Sequence, residues 1–417
     1  MQLSKFGEQF SSGAGILSLM DDLGNALAAG GDDLIMMGGG NPGHIPAFQE
    51  IIRQRLFDIV SDIDLFKKII GVYDPPRGEK DFGEVLATLL QSQYGWDLRP
   101  ENIALTNGSQ AGFFLLFNMF GGVYASGEQK KIRLPLAPEY IGYADLGVSD
   151  SFFVATKPKI TLLADNLFKY HVDFDSLNIG SETGAICVSR PTNPTGNVLT
   201  DEEIVKLDKL AKENNIPLIL DNAYGVPFPG IIYTNATPFW NENVIVCLSL
   251  SKLGLPAART GIIIASEEII KVVSGMNAIM NLATGSFGAM LAHMMVKSGE
   301  VLRISEQIVK PFYEQKMEKA LTLFQQELTG TPYKIHKPEG AMFLWIWFKD
   351  LPVSSHELYL RLKKRNVLVV SGHYFFPGMD SSWQHEKECI RVTYSQDEEQ
   401  VAKGITIIAD EVKRAYS

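Results

Sequence analysis

Four short apolar runs, residues 103–106, 185–189, 217–221 and 244–249, alternate with stretches of helical length. Strands this continuously apolar must be buried on both faces, so the pattern predicts an α/β fold with a mostly parallel sheet flanked by helices. The first run leads through Asn107-Gly108-Ser109 into the apolar stretch 111–120, which reads as strand, tight turn and helix N-terminus. After the second run, Thr200 and Glu203 form a capping box opening a helix with Ile204, Leu207, Leu210 and Ala211 on its apolar face, ending at Asn214-Asn215. Sheets of this kind bind ligands beyond the carboxyl ends of their strands, where the polar residues of this sequence cluster. From about residue 311 the pattern changes to a charged helix, 312–328, and strand-like runs at 341–348, 367–370 and 390–393, predicting a smaller α+β domain. The expected division is 47–300 for the large domain, with 1–46 and 301–417 in the small one.

Bulk properties exclude several classes of function. A formal charge of -10 without any Lys/Arg-rich block argues against nucleic-acid binding. Cys187, Cys247 and Cys389 lie in apolar strand-like runs and form no CxxC pair, so neither a disulfide framework nor a zinc site is expected, and the seven histidines show no metal-ligand spacing. The start, MQLSKFGEQFSSGAG, lacks the basic-then-apolar pattern of a secretory signal, and the greasiest segment, 112–125, is too short for a bilayer and broken by Asn118, Gly121 and Gly122. A reducing compartment, the cytoplasm, is expected, with no membrane association. Met276, Met280, Met290, Met294 and Met295 are expected in core or subunit packing, and His373 in a structural or pocket-lining position.

The strongest chemical signal is Ser249-Leu250-Ser251-Lys252 at the end of the fourth strand, with Arg259 seven residues on. A lysine there can form an imine with an aldehyde cofactor, the two hydroxyls can orient imine and phosphate, and the arginine can clamp a phosphate. Alone, such a lysine is usually a solvated surface residue; its neighbours give it meaning. Asn193-Pro194-Thr195-Gly196 follows the second run and Asp221-Asn222-Ala223-Tyr224 closes the third.

Together these motifs resemble the pyridoxal-phosphate pocket of the class I and II aminotransferases, which have fold type I with a seven-stranded large-domain sheet. The resemblance implies that Lys252 carries the cofactor and, once released, acts as the base at the substrate Cα. It also implies that Asn193 and Tyr224 bond the cofactor's phenolic oxygen and that Asp221 pairs with its pyridine nitrogen. A carboxylate there favours the charged ring, the sink for electrons released at Cα. Gly108, Ser109 and Gln110 at a helix N-terminus match the phosphate cradle, and Tyr140, in Pro138-Glu139-Tyr140-Ile141-Gly142-Tyr143, matches the aromatic stacked on the ring. Arg391, costly in an apolar strand unless paired, matches the arginine gripping the substrate carboxylate. The run Gly38-Gly39-Gly40-Asn41-Pro42 matches the loop closing over it, with Gly39 and Gly40 as substrate contacts beside Asn193. Tyr73 matches the tyrosine reaching the neighbouring subunit's phosphate, which implies a homodimer. Many members space the lysine and arginine eight apart, whereas Lys252 and Arg259 are seven apart with Pro256 between. Likeness at 136–145, 188–200 and 221–231 to one branch of the family implies valine as amino donor and pyruvate as acceptor, with ping-pong kinetics.

Other readings fit less well. Gly38-x-Gly40-x-x-Gly43 formally fits a dinucleotide fingerprint, but Pro42 interrupts it and no helix pattern opens from the glycines. A β-lyase or decarboxylase would share the same cofactor, because fold does not settle reaction type. A cofactor-binding transcriptional sensor would need a DNA-binding segment, and no basic helix-turn-helix pattern precedes the glycine loop.

Overall fold

The computed structural model describes residues 2–11, 22, 24, 33–379 and 383–417. Residues 1, 12–21, 23 and 25–32, within the segment expected to join the small domain, and residues 380–382 fall outside the described residues.

The large sheet runs in the order Ile103–Thr106, Gly261–Ile264, Val244–Ser249, Leu218–Asp221, Thr183–Ser189, Gln129–Leu134, with Phe153–Ala155 on the last of these and the two-residue strand Gly122–Val123 at the edge. The predicted seven strands are therefore present, with that short edge strand as an eighth. Pairing is parallel except for Gly261–Ile264, antiparallel to both neighbours, and the edge strand. The four apolar runs became strands because both faces are covered. Cys187, Ile219, Ile245, Cys247 and Ile263 enter one core cluster, whereas their chain neighbours Val188, Leu220, Val246, Leu248 and Ile262 enter the other. Phe113, Leu116 and Phe117 of the helix Ser109–Phe120 fill the first, and Ile204, Leu207 and Ala211 of the capped helix Asp201–Glu213 fill the second. The predicted Thr200/Glu203 capping box is made in both directions.

A second, six-stranded sheet has the order Val370–Ser371, Cys389–Thr393, Phe343–Phe348, Tyr333–His336, Leu167–His171, Lys159–Leu162. The helices Lys310–Glu327 and Glu398–Tyr416 pack together beside it. Ile35–Met36 pairs parallel with Val367–Leu368, and Thr393 N donates to Met37 O at 2.8 Å. These bonds hold the glycine loop next to the strand that carries Arg391. Among the described residues, no helix is long and apolar enough to cross a membrane and no cluster of His, Cys, Asp and Glu could hold a metal.

Candidate active site

The strand register places Ser189 beside Asp221 and Asp221 beside Cys247, so the chain's polar strand-end residues fall in one row. Above that row lies a cavity of about 380 Å³, within the range of small-molecule sites, bounded by Lys252, Asp221, Asn193, Tyr224, Tyr140 and Arg391 among others. Ser109, Gln110, Ser249, Ser251, Arg259 and Gly40 also face it. Twelve residues singled out in the sequence thus meet in one place.

At one end, Gly108 turns the chain with φ +86° and the helix Ser109–Phe120 begins with no side-chain cap. Its positive end is left facing the cavity, a natural anion site. A Cβ on Gly108 would lie 2.1 Å from Arg259 Nη2, so only glycine admits the guanidinium against the helix start. Arg259 adopts the left-handed φ of +47° after the turn Pro256–Ala258. That is how the short Lys252–Arg259 loop still delivers the arginine to this point. Gln110 is spent on structure, its Nε2 donating to Gly142 O at 2.8 Å.

In the middle, half-buried Lys252 donates to Gly40 O at 2.7 Å, and its ammonium lies 5.2 Å from the Tyr224 ring centre. Burial, followed by the charges of Arg391 and Arg259, pushes its amine down to about 8, although Asp221 pulls the other way. Asp221 accepts from Tyr143 Oη at 2.5 Å and from Ala223 N at 2.9 Å; burial raises its pKa, and those hydrogen bonds oppose the rise. Tyr140 stands at the wall, its ring 5.4 Å from and perpendicular to that of Tyr143.

At the other end, Arg391 donates to Asn193 Oδ1 at 2.8 Å and to Gly38 O at 2.6 Å, with its guanidinium 4.3 Å from the Phe343 ring centre. Burial lowers its pKa to about 10, so it stays charged at neutral pH. A guanidinium has five N–H donors, and the buried Nε of Arg391 has no hydrogen-bond partner among the described residues.

Three of the singled-out site residues lie off the cavity wall: Gly108, which sits behind Arg259 at the helix start, Gly39 and Tyr73. A side chain at Gly39 would meet Met36, although its neighbours Gly38, Gly40 and Asn41 do line the cavity. Tyr73 is 83% exposed and contributes nothing to this chain's own pocket. His373 also lies away, bonded to Ser371 Oγ at 2.8 Å, with burial holding its imidazole down to about 4.

The sequence reading missed a second row of groups beneath Asp221. Glu139 is fully buried; its Oε1 accepts from Ser189 N at 2.8 Å, and its Oε2 lies 2.6 Å from Ser189 Oγ and 3.1 Å from Tyr140 N. Ser189 Oγ is in turn 3.3 Å from Tyr143 Oη. The available signal was a lone acid within the apolar stretch 134–144 and a serine closing its strand at the same level as Asp221.

The sequence profile described as "Aminotransferase class I and II" matches residues 65–408. The chain belongs to the class I and II aminotransferases. It is 50% identical over 417 residues to the valine--pyruvate aminotransferase of Escherichia coli K12, covering 100% of this chain and 99% of that protein. Among solved structures it resembles the valine-pyruvate aminotransferase from Salmonella typhimurium LT2, at 51% identity and a TM-score of 0.89 over 96% of this chain and 99% of that one. It also resembles a putative amino-acid aminotransferase from Psychrobacter arcticum 273-4, at 46% identity and a TM-score of 0.97 over 100% of this chain and 99% of that one. This aminotransferase uses pyridoxal phosphate. The cavity fits that cofactor: an amine of lowered proton affinity, a buried carboxylate, and an arginine against a helix N-terminus meet the needs of an aldehyde, a ring nitrogen and a phosphate.

Proposed function

We propose that the enzyme moves the amino group of valine to pyruvate, yielding 2-oxoisovalerate and alanine in two half-reactions that share one site. The observation that carries this reading is the set of cations on the cavity wall. Among the described residues, Lys252, Arg259 and Arg391 have only neutral oxygens as hydrogen-bond partners: Gly40 O, Pro256 O, Asn193 Oδ1 and Gly38 O. Arg391 is buried, Lys252 half-buried and Arg259 exposed at the phosphate end, and cations that line a cavity without carboxylate partners are set for anionic ligands.

In this reading Arg259, Ser109, Ser251 and the helix N-terminus hold the phosphate, with Gly108 giving it room. Tyr140 covers the ring face, Asn193 and Tyr224 serve its phenolic oxygen, Asp221 its nitrogen, and Ser249 and Gln110 support the walls. Arg391, steadied by Asn193, grips the substrate carboxylate under the loop of Gly39 and Gly40. Bound pyridoxal phosphate supplies an aldehyde for linkage to amines and a ring that takes up the electron pair left at Cα. Lys252, released by the incoming amine, accepts the Cα proton as a neutral base and returns it on the cofactor side. With these three cations assigned, the wall has none left for a side-chain carboxylate, while Ile141, Pro191 and Ala223 present apolar surface. That supports an apolar substrate, as do the names of the relatives.

We propose further that residues 47–300 form the cofactor domain, with 1–46 and 301–417 forming the smaller one, to whose sheet the large domain lends the hairpin of Lys159–Leu162 and Leu167–His171, and that the enzyme works as a cytoplasmic homodimer. Exposed Phe57, Val60, Ile70, Ile279, Leu282 and Met294 give an apolar face on the helices Pro46–Ser61, Ile63–Gly71, Glu267–Asn281 and Phe287–Lys297. Gly285, between the last two helices, bonds Asn107 beside the phosphate end, so this face borders the site that a partner's Tyr73 is proposed to reach. Sedimentation analysis tests the dimer; a monomer at micromolar concentration rejects it.

The substrate test adds L-valine alone to the cofactor-loaded enzyme, follows the cofactor's visible band, then adds pyruvate and assays alanine. Loss of the band, its return and alanine formation are expected. Bleaching by other amino acids but not valine rejects the substrate assignment alone.

A further inference from the structure

Glu139 and Asp221 are buried carboxylates joined by two hydroxyls, and their protons can be counted. Tyr143 spends its single O–H proton on Asp221, at 2.5 Å. Were Glu139 ionised, Ser189 would spend its single proton on Glu139, leaving the Ser189 and Tyr143 oxygens 3.3 Å apart with no proton between them. With one proton added to Glu139, each link is made once: Glu139 donates to Ser189 Oγ, Ser189 to Tyr143 Oη, and Tyr143 to Asp221. Glu139's own acceptor capacity is still met by the N–H groups of Ser189 and Tyr140.

We propose that Glu139 is a neutral acid in the working enzyme and the head of a one-way hydrogen-bond chain, through Ser189 and Tyr143, that holds Asp221 as the single anion serving the cofactor's ring nitrogen. Glu139 is therefore a positioning residue, acting on the cofactor through three intermediaries. The assignment rests on the proposed role of Asp221.

Burial and the neighbouring charge favour the same proton, most fully on the acid side of neutrality. The groups facing Glu139 are Asp221, Tyr140, Tyr143, Cys187 and Ser189, with no cation among its hydrogen-bond partners. Burial, and more weakly the charge of Asp221, raise its carboxyl to about 7 against the pull of its hydrogen bonds. Two adjacent buried carboxylates cannot both ionise cheaply, and the charge settles on the one nearer Lys252. A chain of aligned donors also strengthens its last bond, the one received by Asp221.

The test is infrared difference spectroscopy of the holoenzyme against Glu139→Gln at pH 6, in light and heavy water. The wild type is expected to show one carboxylic-acid carbonyl band, sensitive to deuteration, that the variant lacks. A carboxylate band pair in its place overturns the proposal. A second measurement, independent of whether that variant folds, is the pH titration of the cofactor's visible band in Ser189→Ala and Tyr143→Phe. Cutting the chain makes Asp221 a stronger base and draws positive charge off the ring, so the midpoint should rise in both by up to about one pH unit, the equivalent of one hydrogen bond. Glu139→Gln, whose amide can donate to Ser189, should keep the wild-type midpoint. Unmoved midpoints in both chain-cutting variants reject the coupling. Failure of the wild type to develop any cofactor band would instead count against the functional reading, and the same infrared comparison on the cofactor-free protein would then decide the protonation of Glu139 by itself.

Discussion

The enzyme buries positive charge in two ways within one neighbourhood. At the cavity, Arg391 and Lys252 face one another's field with only carbonyl and amide oxygens as partners. A few residues along the Asn193 loop, buried Lys169 pairs with Glu339 and donates to Asn197 Oδ1 and Val198 O at 3.0 and 3.1 Å. Glu339 also accepts from Val198 N and Lys337, both at 3.1 Å. Arg190 is treated the same way, paired with Asp201 and donating to Leu199 O and Thr237 O. The paired cations are complete without a ligand and fasten the loop that presents Asn193. The cavity cations are incomplete, and a fold retains such groups at a cost to stability when a ligand completes them.

The widest separation between the two regions should come from Lys252→Ala. Steady-state turnover is expected to fall at least about 10⁴-fold, as removal of a base that also anchors the cofactor requires. The thermal midpoint should stay put or rise, because a half-buried cation without a carboxylate has gone. Turnover near the wild-type rate would reject Lys252 as the base.

Glu339→Ala should show the reverse pattern. Leaving Lys169 buried and unpaired is expected to reduce unfolding stability by about 3–5 kcal/mol in urea titrations. The properly folded fraction should still bleach with substrate. A loss under about 1 kcal/mol would mean that the pair is no more structural than a surface bridge, and the contrast with the cavity would fail.

For Arg391→Met the expected loss lies in kcat/KM, roughly 30- to 1,000-fold, corresponding to about 2–4 kcal/mol for a buried charged contact to substrate. Stability should be unchanged or improved, since the flexible thioether can fill the slot against Phe343 and Phe375. If instead the variant unfolds as readily as Glu339→Ala, Arg391 belongs to the structural group.

The sequence made one of these regions visible and hid the other for a physical reason. Asp221 closes one short apolar strand and Lys252 lies three residues beyond another, so their company at successive strand ends, rather than either residue alone, singled them out, and the parallel pairing that converts strand ends into one row was implied by the same alternation. Arg391 stood out as a charge inside an apolar strand. Lys169 did not, because its partner Glu339 is 170 residues away and reaches it through a sheet whose Leu167–His171 strand pairs with Tyr333–His336. The links of Glu139 to Ser189 and of Tyr143 to Asp221 span 50 and 78 residues, equally invisible to local pattern. Gly261–Ile264, antiparallel within the parallel sheet, and the hairpin that joins Lys159–Leu162 to the second sheet likewise depend on distant partners. Tyr73 was found by likeness only, and it stands exposed, away from its own chain's cavity.

The smallest expected effect is a displacement along the pH axis, and it distinguishes the cavity from a solvated surface directly. In cofactor-free protein, Lys252 must be neutral to attack the aldehyde of pyridoxal phosphate, and its amine is held at about 8 rather than the ordinary 10.5. Reconstitution rate should therefore rise with pH around a midpoint near 8. In Arg391→Met the midpoint should move upward, because one of the two positive charges that lower it is gone. The sign for stability follows from the same shift. Between about 8 and 10.5 the unfolded chain binds the proton that the folded chain releases, so this group's contribution grows as pH rises through that window and is lost as pH falls through 8. A reconstitution midpoint near 10.5 would place Lys252 in solvent-like surroundings and erase the difference between an unpaired cavity cation and any surface lysine.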